Sequence, residues 1–369
     1  MKQLLFVTFL AIALSSCASE TARNSVVADP KATQETVNLF NHLMMLKDKG
    51  VMFGHQDDLS YGIGWVYPDG ESDVKRVCTD FPAVIGMDLG HLEFGPAHNL
   101  DTVYFNNMRT FARLTYERGG VVTFSWHCDN PLTGGNAWDI SSDKVAASVL
   151  PGGKNNEKYK QWLDHLADYF LSLTDSNGNL IPVIFRPYHE HTGSWFWWGQ
   201  KLCTTDEYIG LWRFTVDYLC KTRNVHNLLF AYSSAGDFAD VNEYLERYPG
   251  DAYIDILGFD YYYKPTYIED VKNRLAIIEK AAADHHKIPA LTETGYESIP
   301  DSTWWTKTVW PAVKGSKISY LLVWRNAWNK PGHFYAPYPG QVSEKDFVKF
   351  YKMPETLFLN DVAKELIYK

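Results

Sequence analysis

The sequence predicts a single (β/α)₈ barrel, and three observations carry that prediction. Short apolar, β-branched or aromatic runs alternate with longer stretches of helical spacing, and there are eight such runs. The runs are nearly continuous in hydrophobicity, as strands of a parallel sheet covered by helices are. The first is followed by Gly54-His55-Gln56-Asp57 and not by the Gly-rich phosphate turn that an open doubly wound sheet would place there.

In chain order, the first residues stand apart from the fold. Met1-Lys2 is positive, residues 4–14 are apolar but too short for a bilayer core of about 30 Å, and Leu14-Ser15-Ser16-Cys17 follows. This resembles a bacterial lipoprotein signal. It predicts a signal peptide over residues 1–16, lipidation of Cys17, a flexible tether over 17–28 and the barrel over 29–369. No Asp follows Cys17, which predicts an outer-membrane destination. The single acid in Ser19-Glu20-Thr21-Ala22 argues for the periplasmic side over an acidic surface-export tag.

Asp29-Pro30 is the expected start of a first helix, with Val37, Phe40, Leu43 and Met44 as its apolar stripe and Gly50 as its stop. Strands are expected at 51–55, 83–89, 120–127, 181–190, 227–234, 253–262, 288–295 and 318–326. Helices are expected at 102–117, 156–173, 205–222, 241–248, 268–284 and 302–313, with a last one at 354–368; the link between the first two strands is less clearly helical. No Pro/Gly/Ser-rich linker or internal repeat divides the chain, so one domain is expected.

A net charge of −9 without a Lys/Arg cluster argues against a nucleic-acid partner and for a neutral substrate. After Cys17 only Cys78, Cys128, Cys203 and Cys220 remain, without the spacing of paired metal-binding cysteines. Export permits disulfides, the four allow three full pairings, and free buried thiols are equally compatible with a domain of this size.

The predicted strands tend to end in polar or aromatic residues: His55, Gln56 and Asp57; Asp88; Trp126 and His127; His189 and Glu190; Ser233 and Ser234; Asp260 and Tyr262; Glu293; Trp324 and Arg325. In a parallel barrel those ends share the face that carries chemistry. Glu190 and Glu293 end the fourth and seventh strands, and two carboxyl groups flanking one bond are what glycosidic cleavage needs. Arg186 is placed to hold a carboxylate ionised and Tyr262 to donate to Glu293, partners that push two carboxyl pKa values apart. Trp195, Trp197, Trp198 and Trp324 offer flat faces to sugar rings; two of them are expected to be core, with Trp195 and Trp324 exposed. The rival chemistry is zinc held by His55, His127, His189 and His191 with Asp57, Asp88 and Asp260, but the first strand lacks the His-x-His common in metal-binding barrels. No metal or other cofactor is therefore expected, and His189-x-His191 is assigned to substrate hydrogen bonding.

Taken together, Arg186-Pro187-Tyr188-His189-Glu190 and Gly193-Ser194-Trp195-Phe196-Trp197-Trp198-Gly199 resemble the fourth-strand motif of glycoside hydrolase family 26. Phe53-Gly54-His55-Gln56, Leu257-Gly258-Phe259-Asp260-Tyr261-Tyr262, Thr292-Glu293-Thr294-Gly295 and Val323-Trp324-Arg325-Asn326 follow its other strand-end motifs in order, so the likeness spans residues 51–326. The resemblance implies a retaining barrel glycosidase, in most members an endo-acting β-mannanase. It implies Glu190 as acid/base, Glu293 as nucleophile, Tyr262 bonded to the nucleophile and His189 beside the acid/base. His127 and Trp195 would surround the cleavage point and Trp324 would be the floor, with Asp260 and Arg325 as substrate-side contacts and Trp138 lining a more distant subsite. His191-Thr192 and Tyr261-Tyr262-Tyr263 depart from the usual pattern and are expected to reshape subsites. The expected partners are β-mannan or manno-oligosaccharides and, through the lipid anchor, a membrane, with a monomeric chain. Two alternatives stay open: another β-glycanase of the family, acting on mixed-linkage β-glucan or β-1,3-xylan, and a non-catalytic glycan-binding lipoprotein.

Overall fold

The computed structural model describes residues 27–68 and 70–369; the expected signal peptide, Cys17 and all but the last two tether residues lie outside them. Eight strands form the barrel: β1 Val51–Gln56, β2 Val84–Asp88, β3 Val121–Trp126, β4 Val183–Pro187, β5 Leu228–Ala235, β6 Ile256–Tyr262, β7 Ile288–Gly295 and β8 Tyr320–Val323. Each pairs in parallel with the next, and β8 closes on β1 with Met52 opposite Tyr320 and His55 opposite Val323. Closure leaves no open edge in the ring.

Alternation along each strand divides the apolar residues into two clusters. Met52, Val84, Val121, Ile184, Leu229, Ile256, Ile288 and Tyr320, one from every strand, pack together with Leu39, Phe40 and Leu43 of helix α1 (Gln34–Leu46). Phe53, Met87, Phe124, Phe185, Phe230, Phe259 and Leu291 instead join the larger cluster shared with the surrounding helices. Those helices are α2 Asp73–Cys78, α3 Phe105–Glu117, α4 Asn156–Leu171, α5 Thr205–Asp217, α6 Val241–Leu245, α7 Tyr267–His285, α8 Trp310–Val313 and α9 Glu344–Tyr351. Two residues beyond the apolar layer the same strand faces carry Arg186 after Ile184 and, four beyond Ile256, Asp260. The interior thus turns polar toward the carboxyl ends.

One strand breaks its alternation where function needs it. Phe259 pairs with Leu291, but the next residue, Asp260, pairs with Glu293, so Thr292 is an extra residue on β7. The bulge lets Thr292 and Glu293 both face the barrel interior.

Several expectations change. Helix α1 starts at Gln34, with the Thr33 side chain before it capping the Thr36 amide, while Asp29 instead binds the His226 ring at 2.7 Å. Strand β4 stops at Pro187 because Tyr188 and Glu190 take positive φ values of 50° and 52°. The expected helix at 354–368 is replaced by a strand, Thr356–Leu357, paired to the start of β1, and only a short helix, Leu359–Val362. Phe358 decides this by stacking on Phe53 at 5.2 Å, a contact that outweighs helical propensity. Helix α9 was not expected. All four described cysteines are free and buried. No described helix is long and apolar enough to cross a membrane.

Candidate active site

The carboxyl ends of the strands bring a connected set of ionisable groups together, with Arg186 at its centre. Its Nη2 donates to Glu293 Oε2 at 2.7 Å and its Nη1 to Asp260 Oδ2 at 2.6 Å. All three side chains are buried. Burial opposes the guanidinium charge, but the two carboxylates raise its pKa and keep it protonated. Tyr262 donates its hydroxyl to the other Glu293 oxygen, so both oxygens of Glu293 are aimed by donors. Asp260 sits one layer behind: Ser233 and Thr292 each donate to its Oδ1 at 2.8 Å. Burial pushes Asp260 up to about 7, with Arg186 pulling it down and the Glu293 charge adding to the rise. Expected at the substrate side, Asp260 has both oxygens engaged within the protein.

Glu190 has the opposite surroundings. Strand β4 has ended, the backbone turns through the left-handed region, and the Glu190 amide is held by the Ser233 carbonyl at 2.9 Å. Among the described residues, its carboxyl accepts one hydrogen bond, from the Trp195 indole at 2.7 Å. Burial first, then the charges of Asp260 and Glu293, raise its pKa well above the usual carboxylate range, against the weaker pull of Trp195 and Arg186. It is thus a carboxyl group arranged to keep its proton.

Around these two lie aromatic and imidazole walls. The His127 ring donates from Nδ1 to the Asp88 carboxylate at 2.7 Å; burial lowers the His127 pKa but Asp88 more than restores it, and His127 holds Asp88 down at about 2 in spite of burial. His189 meets His127 edge-on with centroids 4.6 Å apart, and burial, then Arg186 and His127, lower its pKa well below the ordinary histidine value. Trp324 lies 6.2 Å from His127, partly exposed just past β8. Trp195 is 43% exposed, whereas Trp197 and Trp198 are fully buried. Trp138 is also exposed but stacks on His127 at 5.0 Å, nearer the centre than its loop position implied. Arg325 reaches Asp101 at 2.8 Å and the Tyr61 hydroxyl at 3.1 Å.

The expectation for His191 also fails. His191 does not face the site: its ring is buried between Tyr208 and Tyr232, with centroids 4.7 and 4.6 Å away. The positive φ at Glu190 turns the chain, so the i,i+2 spacing does not put both imidazoles on one side. The three tyrosines also diverge. Tyr262 reaches Glu293, Tyr261 bonds Asp270, and Tyr263 stacks on Tyr296 at 3.9 Å. Asp101, Tyr61, Ser233 and Thr292 belong to the site as well. Ser233 carried a signal as a strand end and Thr292 as part of the Thr292-Glu293-Thr294-Gly295 motif; Asp101 lies in a loop whose sequence gives none.

His189, Asp260 and Glu293 present ligand atoms within 4.8 Å of one another. Arg186 already occupies both carboxylates of that trio, and a guanidinium there repels a dication. Of the other candidate ligands, His55 is buried against Asp58 at 2.7 Å and His127 is bonded to Asp88 at 2.7 Å.

A family model described as glycosyl hydrolase family 26 matches residues 28–333. This chain belongs to that family. It is 33% identical over 355 residues to a mannan endo-1,4-beta-mannosidase of Bifidobacterium adolescentis, an alignment covering 89% of this chain and 35% of the relative. A mannan endo-1,4-beta-mannosidase A and B of Caldalkalibacillus mannanilyticus is 25% identical, covering 88% of this chain and 63% of the relative. The family chain therefore spans between a third and two thirds of the length of these two curated relatives. Among solved structures, a GH26 beta-mannanase of Bacteroides ovatus superposes with a TM-score of 0.89 at 50% identity, covering 91% of this chain and 98% of that one. GH26C of Muricauda sp. MAR_2010_75 gives 0.85 at 33% identity, covering 94% and 96%.

Proposed function

We propose that this chain is an endo-acting β-1,4-mannanase that cleaves mannan, galactomannan or glucomannan with retention of configuration, with Glu293 as nucleophile and Glu190 as acid/base. The observation that carries the reading is the contrast between the two glutamates. Glu293 receives donors on both oxygens from Arg186 and Tyr262, whereas Glu190 sits where its proton is retained. In the first step Glu190 protonates the departing glycosidic oxygen while Glu293 attacks the anomeric carbon. In the second, Glu190 takes a proton from water as that water displaces Glu293, whose returning charge Arg186 and Tyr262 stabilise. Trp324 supplies the floor beneath the reacting sugar, and His127, His189 and Trp195 surround it. Arg325 contacts the next sugar, with Trp138 alongside. No step is assigned to a metal or cofactor.

The names of the relatives support mannan over other β-glycans; mixed-linkage β-glucan and β-1,3-xylan are the alternative substrates, and reducing-end release from a panel of these polysaccharides decides among them. A glycan-binding protein without catalysis would keep Trp195 and Trp324 but has no use for a buried Arg186 shared between two carboxylates. We further propose a monomer anchored to the outer membrane, on its periplasmic side, by a lipid on Cys17.

The roles are tested by replacing each glutamate. Glu190→Ala should abolish cleavage of mannan yet spare glycosylation by an aryl mannobioside with a good leaving group, and azide should then release a β-mannosyl azide. Glu293→Ala should be inactive on both. Equal losses on the activated substrate, a β-mannosyl azide from Glu293→Ala, or an inverted first product by NMR would reverse or remove the assignment.

A further inference from the structure

We propose that Arg247 is a positioning residue for Glu190, clamping the loop that begins at Glu190 and carries Trp195. The inference rests on the assignment of Glu190 as acid/base. Arg247 follows α6, away from the reacting groups, and its side chain is almost wholly buried. Among the described residues it has no acidic partner. An arginine buried without a counter-ion is costly, so what its donors do instead is informative. Nη1 donates to the His191 carbonyl at 2.6 Å and the Trp198 carbonyl at 3.2 Å. Nη2 donates to Cys203 Sγ at 2.9 Å and to the carbonyls of Cys203 and Thr204 at 3.3 and 3.4 Å. Its guanidinium lies 4.3 Å from the centre of the Tyr208 ring.

These acceptors are the residue just after Glu190, the middle of the loop, and the residues that lead into α5. One planar fork therefore ties the first and last turns of the loop together. The loop has little regular structure of its own. It is held internally by the Gly193 amide on the Glu190 carbonyl at 2.9 Å and the Gln200 amide on the Gly193 carbonyl at 2.8 Å. Its inner wall is fixed by the Trp198 indole on the His189 carbonyl at 2.8 Å. Trp195, whose indole donates to the Glu190 carboxyl, is on its exposed side. Arg247 thus acts on Glu190 through backbone, and a lysine, which offers a point charge in place of a fork, cannot span the same carbonyls.

The effect to look for is selective. A misplaced acid/base slows steps that need its proton and leaves unassisted departure alone. Arg247→Lys should lower kcat/KM on mannotetraose by on the order of tenfold or more, while kcat/KM on 2,4-dinitrophenyl β-mannobioside changes less than about twofold. Azide should speed turnover of the activated substrate by this variant and not by the wild type. Equal losses on both substrates, or no loss on mannotetraose, overturn the proposal. Glu190→Ala run alongside separates the two readings: if it shows no dependence on leaving group, the acid/base assignment fails, and if only Arg247→Lys lacks it, the clamp fails. Hydrogen exchange on the wild-type protein decides should the variant not fold. The amides of Gly193, Gly199 and Cys203 should be protected on the scale of β4; exchange orders of magnitude faster would mean that Arg247 does not hold the loop.

Discussion

At the scale of single residues, the site works by giving chemically identical side chains different neighbours. Glu190 and Glu293 differ in nothing but surroundings: a cation and a phenol for one, an indole and two nearby negative charges for the other. The consequence is testable through pH. A carboxyl whose pKa is raised stays protonated to a higher pH, so kcat/KM on mannan should persist beyond the ordinary carboxylate range and fall only as Glu190 loses its proton. On an activated aryl mannobioside that alkaline fall should disappear from kcat/KM, because the first step no longer needs the proton. A pH profile with the same alkaline limb on both substrates would assign that limb to some other group. Residue types alone named both glutamates, Arg186 and Tyr262, because ionisable groups gathered at predicted strand ends have few structural uses. They did not name Asp101 or Tyr61, which hold Arg325, nor did they show that His191 turns away.

At the scale of elements, the extra residue in β7 matters most. Without it, alternation would aim Glu293 and Asp260 at different faces; with it, Thr292 supports Asp260 while Glu293 reaches Arg186. Gly258 on β6 makes room for that arrangement, since a Cβ there would lie 2.4 Å from Thr292 Cγ2 and 2.7 Å from Thr292 Oγ1. Gly258→Ala should therefore push Thr292 off Asp260, costing about 1–3 kcal/mol of stability as overpacking does and lowering kcat with little change in KM. Thermal unfolding and steady-state kinetics on mannan check the two parts. A variant with wild-type stability and kcat would show that the interior has slack at this layer. Nearly continuous apolar runs located β6 and β7 well, but such a run shows no alternation, so a bulge leaves no mark in it.

At the scale of the whole molecule, the described chain enters at the face opposite the site. The Ala28 amide donates to Asp255 Oδ1 at 2.7 Å and Asp29 meets His226 at 2.7 Å, and both partners lie just before strands, β6 and β5, begin. If Cys17 carries a lipid as proposed, the short tether attaches to this base and the catalytic mouth points away from the bilayer. Cys17→Ala should then move the protein from the membrane to the soluble fraction with kcat/KM on mannan unchanged, as fractionation and reducing-end assays would record. Wild-type protein that is soluble and free of acyl chains would remove the anchor from the account. The aromatic contact of Phe358 with Phe53 belongs to this scale too, since it turns the expected last helix into a strand beneath β1.

The sequence by itself determined the barrel, the eight strand positions to within a few residues and the pair of glutamates at its mouth. These follow from local composition: apolar periodicity is set by which side of an element is buried, and strand ends of a parallel barrel share one face whatever the loops do. What only the tertiary structure decided depends on partners far apart in the chain. Arg186 is divided between residues 74 and 107 positions away, Arg247 holds a loop 43 to 56 positions before it, and Phe358 meets a ring on the first strand. A hydrogen bond or a stacked pair between distant residues carries no local periodicity, so it becomes visible only once the closed barrel has brought its ends together.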